Sequence, residues 1–306
     1  MKLHRFTWLI AGLLLMYPAS LTADKESKVL LINSDARVEK YRVAQEEFTR
    51  DLSRHVHVIN LDDTKWKAAD VENLLYDEYP DLVYCIGSKA YLIAHRYISE
   101  KDIVFSSIVN WQRLPVTKKT YGVSGELHSG MQMTLFRYIF PEVKKIGVLY
   151  STRYNSQWFN NASAEAKAMG IEIIGRSISK SKHTIDALNE LMPVSDALWL
   201  ISDPLVMTDK ENLTKLFKDC EAKKLPVFSY HDIFVDYGAL LVVSVDEPTI
   251  GRQAAGIARE VLAAGKIEDK IQYPAGSHVI LNLKKVKEYG LHYNEEALSA
   301  VNQIVE

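Results

Sequence analysis

The sequence predicts an α/β protein of two lobes, each a parallel sheet flanked by helices. Short apolar runs alternate with stretches of helical period, which is the pattern of strands joined by crossover helices. That alternation runs once, then restarts and runs again. The chain has 306 residues, enough for two domains of ordinary size.

Each element follows in order. Val29–Asn33 reads as a buried strand, 39–54 as an amphipathic helix and 55–61 as an alternating strand. A helix over 68–79 leads to the apolar run Leu82–Ile86, the turn Gly87-Ser88 and a helix over 89–97. A strand over 103–107 completes the first set. The second opens with a helix over 130–140, stopped by Pro141. Strands over 145–150, 171–174, 197–201, 225–229 and 240–245 follow, and a last one over 279–283. Helices are expected over 156–169, 183–192, 209–223 and 250–264.

Composition bounds the function. Hydrophobic residues make up 47% and charged residues 25%, so the chain can build a core and is not disordered. The 37 basic residues against 39 acidic give a net charge of −2, without the electrostatic footprint of a nucleic-acid or anionic-membrane binder. Residues 1–23 read as a signal peptide: Lys2, His4 and Arg5, then an apolar run to Tyr17, then Pro18, Ala19, Ser20 and Ala23. An uncleaved anchor is the alternative. No cysteine lies near that junction, so no lipid anchor is expected. Cys85 and Cys220 fall on apolar patterns far apart and read as buried free thiols.

Parallel sheets bind ligands beyond the carboxyl ends of their strands. The residues there are Asn33-Ser34, Gly87-Ser88, Ser106-Ser107, Tyr150-Ser151, Ser202-Asp203 and Ser229-Tyr230. Short hydroxyls beside helix N-termini suit a small polar or anionic group. The same residues also serve as helix caps, and for any one of them that alternative stands. An enzyme reading finds no phosphate-cradling glycine loop and no nucleophile elbow. His55 and His57 share a strand face without an evident third ligand, so no metal or cofactor is expected.

Several ordered segments carry a resemblance. Leu225-Pro-Val-Phe-Ser229, Gly238-Ala-Leu240 and Gly251-Arg-Gln-Ala-Ala255 form one series, and Val279–Leu283 with Tyr289-Gly290-Leu291 closes it. Pro80–Val83 with Ile86-Gly87-Ser88, Val104-Phe-Ser106, Tyr121-Gly-Val-Ser-Gly125 and Lys145–Tyr150 carry the first half. In these segments the chain resembles ABC-transporter substrate-binding proteins of the tryptophan/tyrosine-uptake type. The resemblance implies a type I periplasmic-binding-protein-like fold: two Rossmann-like lobes joined by crossing hinge strands. The first lobe would span 24–124 plus about 247–275, and the second 125–246 plus about 276–306.

The resemblance also implies a function, a periplasmic and monomeric protein that binds a small molecule, an aromatic amino acid by family, and delivers it to a membrane permease. The alternative is a module that presents its ligand to a sensor kinase or chemoreceptor. Residue by residue, Ser88 and Ser106 would hold a carboxylate, and Asp203, with Asp246, an ammonium group. Ser34, Asn110, Tyr154, Asn155, Ser156 and Tyr230 complete the expected ligand contacts. Trp111, Trp158 and Phe234 are further candidates for stacking on a planar ligand. Departures from the family pattern surround this pocket: Pro204 follows the acid where Asn is usual, Val109 and Trp111 replace Thr and Pro, and the loop at Ser151–Tyr154 is shorter.

Overall fold

The computed structural model describes residues 27–63 and 68–306. The signal-peptide expectation for 1–23 lies outside these residues. The first sheet uses β1 (Val29–Asn33), β2 (Val56–Asn60), β3 (Leu82–Ile86), β4 (Asp102–Ile108) and β5 (Thr120–Ser124). Between the first four run α1 (Glu39–Leu52), α2 (Ala68–Glu78) and α3 (Ser88–Ile98). β1 and β3 are buried throughout, as expected of central strands covered by helices on both faces.

The second half carries α4 (Ser129–Ile139), β6 (Lys145–Ser151), α5 (Thr152–Ala168), β7 (Glu172–Ile178), α6 (Thr184–Leu191) and β8 (Ala197–Trp199). It continues through α7 (Pro204–Met207), α8 (Lys210–Ala222), β9 (Val227–Ser229), α9 (Phe234–Tyr237), β10 (Leu241–Val245) and α10 (Glu247–Leu262). The chain ends with β11 (Ile271–Gln272), β12 (Ser277–Asn282), α11 (Leu283–Tyr289) and β13 (Gln303–Val305).

Two sheets result, in the orders β11-β5-β4-β3-β1-β2 and β13-β12-β10-β9-β8-β6-β7. The pairs are parallel except β10 with β12. This is a type I periplasmic-binding-protein-like architecture. After β5 the chain crosses to α4 and the second sheet. After β10 it returns to α10, whose Ile250, Ala254 and Ala258 pack with Val29, Leu31 and Phe48 of the first core. β11 pairs with β5 at the first sheet's edge before β12 rejoins the second. The close approach at the first crossing needs a glycine, because a Cβ on Gly125 would lie 2.8 Å from the backbone nitrogen of Ile108.

Strand order reverses at β1/β3 in one sheet and at β6/β8 in the other, and each switch point is tied in a similar way. In the first, Ser34 Oγ accepts from the backbone nitrogen of Ala90 in α3 at 3.0 Å. Gly87 holds φ at +81°, and a Cβ there would meet Ser34 Oγ at 2.7 Å. In the second, Asp203 ties Ser151 at the end of β6 to the start of α7. The second core centres on Trp199, edge-on to Phe136 and Trp158 with ring centroids 5.2 and 5.1 Å away. Cys85 and Cys220 are free and buried, one in each lobe's core.

Three local readings change. The Tyr121–Gly125 segment, to which the local pattern assigns no strand, supplies β5, because β4 and β11 flank it with partners that pattern does not reveal. The expected loop at Ser151–Tyr154 is helical from Thr152, and Ser151 precedes it as the cap residue. β7 extends to Ile178 because it pairs with the whole length of β6.

Candidate functional site

The two sheets meet over a cleft, and a carboxylate from the first crossing sits in it. Glu126 follows β5 after one residue, Gly125. Its Oε2 accepts from the backbone nitrogen of Asn110 at 2.7 Å, on the first-sheet side. Its Oε1 accepts from the Ser202 hydroxyl on the second-sheet side. Asn110 adds a direct bridge, because its Nδ2 donates to the Ser202 carbonyl at 3.1 Å. Asn110 reaches it from a left-handed backbone, φ 54°, a conformation asparagine tolerates better than most residues. Burial pushes the Glu126 carboxyl above the ordinary glutamate range, against the pull of Ser202, Asn110 and Arg113.

Two cavities share Glu126 and Trp158. One is polar, about 160 Å³, and includes Asn110, Arg113, His128, Tyr154, Asn155 and Tyr273 in its lining. The other, about 30 Å³, is the more apolar of the two: Trp158, Trp199, Ile201, Val243 and Val245 line it with Gln132, Ser202 and Tyr230. Tyr154 and Trp158 stand four residues apart on α5, so they share a helix face. The Arg113 guanidinium lies 4.4 Å from the centre of the Tyr154 ring, a second contact across the cleft. Burial pushes the Tyr230 phenol up to about 12, with the charges of Glu126 and Asp203 adding to it.

The residues expected from sequence separate into two groups. Asn110, Tyr154 and Asn155 line the polar cavity, and Tyr230 the apolar one. The other six are in neither lining. Ser34 caps α3. Ser106 is buried, with its hydroxyl 2.6 Å from that of Tyr84. Ser156 donates to the Thr152 carbonyl within α5. Asp246 caps α10 through the backbone nitrogen of Thr249 at 3.0 Å. Ser88 is exposed on the first turn of α3, at the carboxyl end of β3. Among the aromatic candidates, Trp158 lines both cavities, whereas Trp111 and Phe234 pack against the hydrophobic cores.

Asp203 has 0% exposure, and its carboxylate is surrounded by donors. Oδ2 accepts from the Ser151 nitrogen at 2.6 Å, the Ser151 hydroxyl at 2.7 Å and Asn155 Nδ2 at 2.6 Å. Oδ1 accepts from the nitrogens of Leu205 and Val206. Pro204 follows at the first position of α7, where its missing N–H costs nothing. Glu126 escaped the sequence reading, since a glutamate after a glycine in a linking segment has no periodic signature. Its position directly after the crossover motif was the available signal. Among the described residues, no group of three or more His, Cys, Asp or Glu side chains could hold a metal ion.

Comparisons with known proteins bear on the fold and the family. A model of the ABC transporter substrate binding protein family matches residues 51–305. The "Tyrosine-binding protein" of Clostridioides difficile (strain R20291) is 24% identical over 198 residues, 62% of this chain and 56% of that protein. The match therefore spans little more than half the length of that relative. An ABC domain in complex with L-Trp from Streptococcus pneumonia has a TM-score of 0.63 at 18% identity, over 91% of this chain and 99% of that one. The ligand-free, open structure of a Clostridium difficile substrate binding protein with adhesive properties has a TM-score of 0.71 at 17% identity, over the same shares. At these identities the structural likenesses show the fold. The family match covers most of the sequence, and the chain belongs to the ABC transporter substrate binding protein family.

Proposed function

We propose that this protein is the periplasmic solute-binding component of an ABC importer, and that it holds an aromatic α-amino acid between its lobes for delivery to a membrane permease. The observation that carries the reading is the Glu126 carboxylate, drawn between Asn110 and Ser202 where the polar and apolar cavities meet. A part-buried carboxylate is relieved by a cation, and an α-ammonium group is a cation of fitting size. In this reading the amino-acid head lies in the polar cavity, with its carboxylate near Asn155. The ring enters the apolar cavity against Trp158 and Tyr230. Ser88 is placed on the first lobe's rim, while Ser34, Ser106, Ser156, Asp203 and Asp246 support the walls.

The relatives' ligands, tyrosine for the curated protein and L-Trp for the solved domain, point to the same class. Sites for small organic ligands typically measure about 300–1,000 Å³. Cavities of about 160 and 30 Å³ fall below that, so the lobes must part to admit the ligand and close again on it. The lobes that move would be 24–124 with about 247–275, and 125–246 with about 276–306. No helix among the described residues is long and apolar enough to cross a membrane.

Calorimetric titration of the purified protein with L-tyrosine, L-tryptophan, glycine and D-glucose tests this. Saturable binding of an aromatic amino acid at one site per chain, weakened by Glu126→Gln, is the expected result. Binding of glucose with no heat from any amino acid would overturn the ligand class.

A further inference from the structure

The apolar cavity beside Glu126 is bounded by two side chains that each keep one polar atom without a partner. Gln132 is 6% exposed and Trp199 1% exposed, and both line this cavity. Gln132 Oε1 and Trp199 Nε1 are buried and make no hydrogen bond. The Gln132 amide is oriented, because its Nε2 donates to the Leu127 carbonyl at 3.2 Å, which leaves Oε1 as an acceptor. The Trp199 indole is held edge-on by Phe136 and Trp158, so its N–H is fixed as a donor. Native proteins carry few such orphaned groups, and each calls for a reason. Both residues line the same cavity with the apolar side chains of Ile201, Val243 and Val245, and each keeps one buried polar atom without a partner.

We infer that Gln132 and Trp199 read a hydroxyl on the ligand's ring, and so set the selectivity of the site for a hydroxylated aromatic side chain over a bare one. The inference rests on the amino-acid reading above. A hydroxyl satisfies both orphans at once: its oxygen accepts from Trp199 Nε1, and its hydrogen is donated to Gln132 Oε1. An indole N–H satisfies Gln132 alone, and an unsubstituted phenyl ring satisfies neither. The cavity, about 30 Å³ in this closed arrangement, has room for a polar tip. Sites built to bond a hydroxyl reject the analogue that lacks it, because the protein's polar groups are then left unpaired.

The test is calorimetric titration of the purified protein, and of its Gln132→Met and Trp199→Phe variants, with L-tyrosine, L-tryptophan and L-phenylalanine. The parent is expected to prefer L-tyrosine to L-phenylalanine by about 100-fold or more, with L-tryptophan between them. Gln132→Met should cut that ratio to under about tenfold. The ratio is read within each protein, so partial loss of folded material cancels. If Trp199→Phe fails to fold, the parent and Gln132→Met still decide. Equal affinity of the parent for L-tyrosine and L-phenylalanine overturns the inference, leaves a trapped water as the partner of the two orphans, and spares the aromatic amino-acid reading. An unchanged ratio in Gln132→Met also overturns it. Binding of none of the three overturns both readings.

Discussion

Asn155 Nδ2 donates to Asp203 Oδ2 at 2.6 Å, although the two residues lie 48 positions apart. The contact joins α5 to the turn before α7 and fixes one wall of the cleft. Because Ser151 and two backbone nitrogens also donate to Asp203, this carboxylate is already engaged within the second lobe.

Asp203 therefore contributes mainly to stability. Asp203→Ala strands the Ser151 and Asn155 donors in a buried setting, where each unmet group costs about 1–3 kcal/mol. A loss of about 3 kcal/mol or more in urea unfolding is the expected outcome. Affinity for an aromatic amino acid, counted per folded molecule, should fall less than in Glu126→Gln. A fully stable Asp203→Ala protein that no longer binds would return the ammonium to Asp203.

Much of the frame was legible in the sequence. β1 and β3 are apolar along their whole length because helices cover both faces, and that leaves a mark in any single chain. The start of α5 was not legible, because Thr152-Arg-Tyr-Asn155 is polar and looks like a loop until Ser151 and Asp203 are brought together. Ser106, inside β4, and Asp203, after β8, carry the polar side chains expected of ligand contacts, yet both turn to partners more than twenty residues away. Glu126 and Gln132 show the reverse, cavity residues with no local pattern to single them out.

Glu126 and the ligand's ammonium group form a testable pair. Glu126→Gln should weaken binding of the aromatic amino acid by about 2–3 kcal/mol, roughly 30- to 150-fold. It should leave the des-amino analogue of the same acid almost unaffected. The parent's affinity should also fall as pH drops through the Glu126 pKa, which burial holds above the ordinary range. Equal losses for the acid and its des-amino analogue would place the ammonium elsewhere.

Glu247, the first residue of α10, accepts from the Ser107 hydroxyl at 3.3 Å. Burial pushes its pKa from 4.5 up to about 7, with the charges of Asp246 and Asp232 adding to the rise against the pull of Lys40 and Ser107. A carboxyl whose pKa rises on folding holds its proton more tightly in the folded state. Its stabilising contribution is complete below about pH 4.5 and is lost as pH rises to about 7. That rise corresponds to about 3 kcal/mol at most. Urea unfolding of the parent and Glu247→Gln should show a stability difference that moves in the variant's favour across this window. A difference independent of pH would sink the assignment.

Arg113, in the turn after β4, and Tyr154, on α5, both line the polar cavity and touch across the cleft. Because this contact spans the cleft, it exists only while the lobes are together, and its loss should act on release rather than on capture. An exposed cation–π contact contributes about 0.5–1 kcal/mol. Arg113→Ala should therefore speed ligand dissociation about two- to fivefold with little change in the association rate. Stopped-flow tryptophan fluorescence is suited to this, since Trp158 lines the cavity next to Tyr154. Tyr154→Leu should give a similar increase, and the double variant should add little, because both changes remove the same contact. If the effect falls instead on association and scales with ionic strength, Arg113 acts by steering the ligand and the latch role is lost.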